Sequence, residues 1–352
     1  LSDPAIALPT EYFNTVLWTS TSADGTSALG AVTGVGFQPD LVWAKGRTAG
    51  WDHSLFNSVM GTGLGKALYT NGTFAAGAYD TSGYGNVTSF DSDGFTVGLT
   101  AGNNYAYNYG SGTKYLAWNW KAGGTAVSNG DGSIPSSVSA NTTAGFSIVS
   151  YTGNNTAEAT IGHGLSQIPD WVIVKDRDNG STQWVHNPRG ALGANYYGYF
   201  TTGTFTADTS NVFWYDPTAS IVKVSAHAEV NASSTDYIMY CFHSIEGYSK
   251  VGSYTGANST DANFIYCGFK PAFVLLKNYG AAEQWCLYDD QRNTYNVVDD
   301  RLRPDSSAAE AVHGALDFVS NGFKIRSADI SAPQGYIFYA VASSPFKTSN
   351  AR

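Results

Sequence analysis

The residues with the widest chemical repertoire are six histidines: His53, His163, His186, His227, His243 and His313. They stand singly. None forms an HExxH pair or another metal-ligand spacing, and no GxSxG elbow presents a serine nucleophile. The string GTGLGK at 61–66 is only superficially a phosphate loop, because it lacks the four residues between glycine and Gly-Lys and no parallel α/β pattern surrounds it. Asp91 and Asp93 in DSDG, and the NGDG at 129–132, carry carboxylates of the kind calcium uses. A second copy of the first motif has Val319 and Asn321 instead, which favours a hairpin turn over a cation site. Glycoside hydrolysis needs two convergent carboxyl groups, and none of the six Glu lies in a distinctive motif. The expectation is a protein without enzyme activity, metal or cofactor.

Aromatic residues among small polar ones are the stronger candidates for contact with another molecule. NNYAYNYGSG (103–112) carries Tyr105, Tyr107 and Tyr109, and ANYYGYF (194–200) carries Tyr196, Tyr197 and Tyr199. Tyrosines in such a setting stack on sugar faces and donate hydrogen bonds. Contact with a receptor or glycan is one reading; packing against a neighbouring module or subunit is the other, and it carries more weight.

The elements that must position these residues come in copies. GFQPDLVWAK (36–45), GLSQIPDWVIVK (164–175) and GFKPAFVLLK (268–277) each place a proline six residues before a lysine: Pro39 and Lys45, Pro169 and Lys175, Pro271 and Lys277. Trp51, Trp184 and Trp285 follow the prolines by 12, 15 and 14 residues. An aromatic run closes each copy: KYLAWNWK (114–121), DYIMYCFH (236–243) and GYIFYAVA (335–342). Both alternating faces of these runs are apolar, which predicts central strands buried on two sides. The lysines are expected to surface at strand ends and pair with a local carboxylate or carbonyl. The tryptophans are expected in core or inter-sheet packing. Asp-Gly in FDSDGFTV (90–97) and Asn-Gly in FVSNGFKI (318–325) predict tight hairpins.

Composition agrees with strands. The 352 residues include 39 Gly, 23 Tyr, 18 Phe and 9 Trp against six Glu and eleven Lys, so aromatic segments outnumber charged helix formers. A copy of about 100 residues is the size of a sandwich. The fold is therefore expected to be all-β, with three tandem antiparallel β-sandwich (jelly-roll-like) modules and little helix. The predicted boundaries are a lead-in 1–10, repeat 1 at 11–124, a Gly/Ser/Thr-rich linker 125–144, repeat 2 at 145–248 and repeat 3 at 249–352. A net charge of −9 with no basic cluster argues against nucleic acid, and no apolar run reaches the roughly 20 residues that span a bilayer. The opening LSDPAIALPTEY lacks the basic leader of a signal peptide. Cys241, Cys267 and Cys286, an odd set in apolar runs, read as buried thiols of a protein made in a reducing cytoplasm.

The motifs YFNTVLWT, GVGFQPDLVWAKGR, TSFDSDGFTVG, YLAWNWKAGGTAV, AGFSIVSYTGN and EGYSKVGSYTG resemble a tail-fibre-like repeat family encoded by marine and cyanobacterial tailed phages. The resemblance covers nearly the whole chain from about residue 11; Ala44 and Gly46 depart from the family's usual Ile and Asn around the basic pair. It implies a structural virion protein, made in the host cytoplasm, that contacts other tail or capsid proteins. It further implies an appendage that meets a host surface glycan and assembles with copies of itself, as a trimer. A capsid-surface decoration or knob is the alternative, and a polysaccharide depolymerase is a third reading.

Overall fold

Runs of aromatic and β-branched residues between Gly- and Asn-rich gaps favour extended backbone, and the chain is all-β. The computed structural model describes residues 4–27, 29–79, 85–99, 107–211, 213–261 and 263–346. The two α-helical turns among them, α1 (Arg189–Leu192) and α2 (Ala228–Asn231), are four residues each. The first copy supplies β1 (Phe13–Thr19), β2 (Gly30–Thr33), β3 (Leu41–Gly46), β4 (Ser54–Asn57), β5 (Asn86–Asp91), β6 (Gly94–Gly98) and β7 (Lys114–Trp120). Next come β8 (Val127–Asn129), β9 (Ser136–Asn141), β10 (Phe146–Thr152), β11 (Ala159–Gly162), β12 (Trp171–Asp176) and β13 (Val185–Asn187). The second copy ends with β14 (Tyr196–Tyr199), β15 (Thr206–Ala207), β16 (Trp214–Tyr215), β17 (Ile221–Val224) and β18 (Asp236–Phe242). The third contains β19 (Ser249–Thr255), β20 (Phe264–Tyr266), β21 (Phe269–Asn278), β22 (Cys286–Asp289), β23 (Val298–Arg301), β24 (Ala311–Val319), β25 (Gly322–Ile325) and β26 (Gly335–Pro345).

Pairing repeats with the sequence. One sheet of each copy has its first, last, third and fourth strands side by side: β1-β7-β3-β4, β10-β18-β12-β13 and β19-β26-β21-β22. A second sheet lies with each: β2-β6-β5, β11-β17-β16 and β20-β25-β24-β23. The middle four-strand set is extended at both edges, by β14 and β15 on one side and by β9 and β8 on the other. The stretch 125–144, read from its composition as a linker, contains two strands. Ser136 and Val138 of β9 are buried, and alternation of small and apolar residues lets the segment pair along β10. The lead-in also packs, with Ile6 buried among core side chains.

The two apolar faces of the final strands have different destinations. In β7, Ala117 joins a cluster with Val32, Phe95 and Val97 of the accompanying sheet, while Leu116, Trp118 and Trp120 face the opposite way. In β18, Met239 and Cys241 join the second copy's own cluster and Ile238, Tyr240 and Phe242 face away; in β26, Phe338 and Ala340 split from Ile337, Tyr339 and Val341 in the same manner. Period-two geometry thus gives each sheet pair its own interior and sends a second apolar face outward. These three outward faces meet in one shared core.

The meeting is aromatic. Phe273 packs edge-on against Phe13, Trp118 and Trp120 of the first copy, with centroids 5.4, 5.9 and 5.5 Å away. Tyr339 lies 4.9 Å from Phe242, and Phe200 lies 6.0 Å from Trp43 and 5.0 Å from Trp285. These are favourable ring geometries. At the centre remains a dry, wholly apolar cavity of about 40 Å³, walled by residues of all three copies.

The two predicted hairpins are present; Gly94 has the positive φ expected (144°), but both glycines also meet a second requirement. Their two-residue loops are Ser92–Asp93 and Ser320–Asn321, and the glycines sit one place later, paired with Asp91 and Val319. A Cβ at Gly94 would lie 1.9 Å from the Val32 carbonyl oxygen, and one at Gly322 would lie 2.0 Å from that of Ile265. The glycines admit a neighbouring strand.

Because the central core belongs to all three copies, Phe273→Ala is expected to cost about 3–5 kcal/mol and to shift one common unfolding transition. Denaturant unfolding followed by tryptophan fluorescence checks this; an independent early transition of the third copy would contradict it.

Candidate functional site

The repeated prolines, lysines and tryptophans mark where the copies join. Pro39 and Pro169 lead into β3 and β12, and Pro271 lies at a register shift inside β21. Each lysine lies near the far end of its strand, and two residues later a backbone carbonyl receives an N–H from another copy. Glu310 N–H donates to Arg47 O (2.6 Å), Ala76 N–H to Arg177 O (2.8 Å) and Phe205 N–H to Tyr279 O (3.1 Å). The third copy thus reaches the first, the first the second, and the second the third. The contact is cyclic.

Lys45, Lys175 and Lys277 do not surface, contrary to expectation; all are buried. Lys45 Nζ donates to Gly46 O (2.7 Å), Ala49 O (3.3 Å) and, across the joint, Ser307 O (3.1 Å). Lys175 Nζ donates to Asp176 O (2.7 Å) and Thr182 Oγ1 (3.3 Å). Lys277 Nζ donates to Glu283 O and, across the joint, to Thr202 O (3.1 Å). The physical reason is that the turn after each strand curls back and aims its carbonyls at the ammonium, which replaces lost hydration. Burial pushes Lys45 down to about 7, and Lys175 and Lys277 down to about 8.

Strand register corrects one of the predicted equivalences. Ala44, Val174 and Leu276, each just before its lysine, pair with Ser54, Val185 and Cys286. The residues preceding those partners are His53, Trp184 and Trp285, so His53, and not Trp51, occupies the tryptophan position. Trp184 Nε1 donates to Tyr69 O (2.8 Å) and Trp285 Nε1 to Tyr199 O (2.9 Å), each carbonyl belonging to the preceding copy. His53 Nε2 lies 2.9 Å from Arg303 O of the third copy, and its Nδ1 accepts from Trp43 Nε1 at 2.9 Å. A carbonyl only accepts, so the proton is on Nε2 and the ring is neutral, in keeping with burial driving its pKa well below 6.5. Trp51 lies beside Tyr109 instead, with ring centroids 5.3 Å apart.

The first and third copies are also tied by ions the sequence did not reveal. Buried Asp289 Oδ2 accepts from Arg292 Nε (2.6 Å) and Trp118 Nε1 (3.0 Å). Glu310 receives Arg292 Nη1 (3.0 Å) and Arg47 Nη2 (2.8 Å). The only sequence signal was the charge-rich DDQR at 289–292, which has no counterpart in the other copies.

The tyrosine expectations divide. Tyr105 lies outside the described residues. Tyr107 is fully buried in the first copy's core with its Oη 2.9 Å from Ser54 Oγ, so it contacts no receptor; the strand pair needed a large amphipathic filler with a satisfied hydroxyl. Tyr109 is half-buried, and both its backbone N–H and its carbonyl bond the Tyr115 hydroxyl. Tyr196, Tyr197 and Tyr199 are half-buried on β14. Tyr197 packs on Phe213, with centroids 4.5 Å apart, and Tyr199 Oη donates to Glu229 Oε2 at 3.1 Å. Packing accounts for these contacts.

An exposed aromatic ledge lies elsewhere, on the edge strand β20. Ile265 points inward and pairs with Phe323, while Phe264 and Tyr266 flank it on the other face, 48% and 55% exposed. Lys250 Nζ donates to Tyr266 O (2.8 Å) and sits 5.3 Å above the Tyr266 ring. Together with Ser253 and Asn263 they border a cleft of about 380 Å³. In the first copy, Val32 pairs with Phe95 in the same place and its neighbours are Ala31 and Thr33. The signal available in the sequence was this divergence between copies, aromatic for small at solvent-facing positions. Asp91 and Asp93 form no cation cage: Asp93 accepts from Gly34 N–H (3.1 Å) and Gly36 N–H (2.6 Å), and Asp91 accepts from Ser89 and Thr96 hydroxyls at 2.7 Å. Among the described residues no group of three or more His, Cys, Asp or Glu is arranged to hold a metal.

A lysine whose folded pKa is depressed has a definite effect on stability. An unfolded lysine titrates near 10.5, so between about 7 and 10.5 the unfolded chain holds more protons than the folded one at position 45, and stability gains with rising pH. Chemical denaturation at pH about 7 and about 9 is expected to show a smaller gain for Lys45→Met than for the native chain. Equal gains would contradict a buried, depressed Lys45.

No curated protein and no solved structure matches this chain. A family model described as a domain of unknown function, DUF7483, matches residues 8–345. That span takes in all three copies and every joint between them, and the chain belongs to the DUF7483 family.

Proposed function

We propose that the three sheet pairs are jelly-roll-like sandwich modules copied in tandem, and that the chain is a structural component of a phage virion, a fibre-like appendage meeting the host surface. The observation that carries this reading is the cyclic closure of three like units about one aromatic core. It makes a rigid body from a single chain, with side chains of low charge and abundant Ser, Thr and Asn on β scaffolding. The sequence resemblance to tail-fibre-like repeats supports the same reading. The surface contact is assigned to Phe264 and Tyr266 with Lys250, because an aromatic pair on a fixed strand stacks on sugar rings at low entropic cost. Other virion proteins and further copies of the chain, as a trimer, complete the proposed assembly.

A second reading, a capsid-surface knob, fits the same closure, since a rigid body of three joined units can be carried on a shell as well as on a tail. Gold-labelled antibody on phage particles separates the two: label at the tail supports the appendage, label over the head supports the knob, and particles without label overturn both.

Phe264→Ala with Tyr266→Ala is expected to reduce binding of the purified chain to host cells at least about tenfold, each stacked aromatic contributing on the order of 1 kcal/mol, with the melting temperature unchanged. Undiminished binding would move the contact away from β20.

A further inference from the structure

Where the second and third copies meet, a second cleft of about 420 Å³ opens, lined by Thr202 from one side and by Asn278, Glu283, Gln284, Arg301, Arg303 and His313 among others from the third copy. This volume lies within the range of small-molecule sites, which favour such joints. Its arginines differ from three others in the chain. Arg47, Arg292 and Arg326 each have a carboxylate within 3.0 Å. Arg301 and Arg303 have none within 4.0 Å among the described residues. Arg301 is only 6% exposed, and its Nε has no hydrogen-bond partner. Its Nη1 donates to His313 Nδ1 at 2.7 Å, which spends one N–H on a neutral acceptor. A guanidinium removed from water without an anion is costly, so the arrangement asks for one.

We propose that this cleft binds a hydroxyl-rich ligand bearing a single carboxylate, an acidic sugar residue. Arg301 and Arg303 lie two residues apart at the end of β23 and both line the cleft, giving a pair of forked donors suited to one carboxylate. Glu283 and Asp329 also line it. Their charges oppose a dianion such as phosphate more than a singly charged carboxylate, and their oxygens accept from sugar hydroxyls. Gln284, Asn278 and Thr202 supply neutral polar atoms for the remaining groups. The assignment is independent of where the protein sits on a particle, because it concerns binding by the isolated chain.

Isothermal titration calorimetry of the full chain tests it, with glucuronate, glucose and inorganic phosphate as probes. Saturable glucuronate binding is expected, with glucose and phosphate each weaker by about tenfold or more. Arg303→Gln, at a half-exposed position that the core does not need, is expected to weaken glucuronate about tenfold while leaving the melting temperature unchanged. Arg303→Lys is expected to recover only part of that loss, since an ammonium lacks the fork. No saturable glucuronate binding, equal affinity for glucose, or affinity unaffected by Arg303→Gln would overturn the proposal. Phosphate binding as tight as glucuronate would also overturn it, in favour of a bare oxyanion site.

Discussion

A sheet that is apolar on both faces must be covered on both faces, and this requirement organises the molecule. The small accompanying sheets cover one face of each four-strand set. The other faces carry Trp43, Trp118 and Trp120, then Trp171, Tyr240 and Phe242, then Phe273, Leu275 and Tyr339. Any of them left in water would forfeit roughly 1.5–3 kcal/mol per large side chain, so no copy has a stable solvent-facing form of its own inner sheet. Turning three such faces toward one centre satisfies all of them together. The rings pack edge-on, tilted and in places stacked, leaving only a small apolar void.

The joints follow from that closure. Once the faces meet, the turns after β3, β12 and β21 are trapped against segments of the neighbouring copies, and carbonyls of those segments need donors. Trp184 and Trp285 supply indole N–H groups, His53 supplies its Nε2–H, and Lys45 and Lys277 reach across from beneath. Histidine at the first position keeps the single donor of an indole while adding an acceptor for Trp43. The lysines raise the cost of a wrong arrangement, because a buried ammonium is tolerable only with its full set of oxygens in place. Such groups contribute specificity of assembly more than stability.

What the sequence disclosed depended on whether a feature was local or relational. Strand existence, the repeat and its landmarks were readable because period-two aromatic runs and proline entries are local. The second apolar face was visible as well, in runs such as Tyr237 to Phe242, but nothing in one copy says whether its cover is another sheet or another copy. The lysines were misplaced because a basic residue closing an apolar strand ordinarily surfaces, whereas here the oxygens of the following turn, joined at Lys45 and Lys277 by the carbonyls of Ser307 and Thr202 from another copy, make its burial tolerable. Trp51 misled because spacing aligns tryptophan with tryptophan, whereas strand register aligns His53. The segment 125–144 lacked an apolar period because β8 (VSN) and β9 (SSVSAN) are built mainly of Ser, Asn and Ala, with one Val each. The exposed ledge and the arginine cleft both lie where the copies differ, and a search for what repeats passes over them.

The third copy is the most decorated of the three. It holds the ledge at Phe264 and Tyr266, the arginine pair at 301 and 303, and the ion network of Asp289 and Arg292. The central claim is that three interiors are held by a fourth that they share, and native-state hydrogen exchange of the amides in β7, β18 and β26 tests it most directly. The account predicts that these three strands exchange with a single common opening free energy, that of global unfolding. Markedly lower protection of one strand, showing that its copy opens while the other two stay closed, would contradict it.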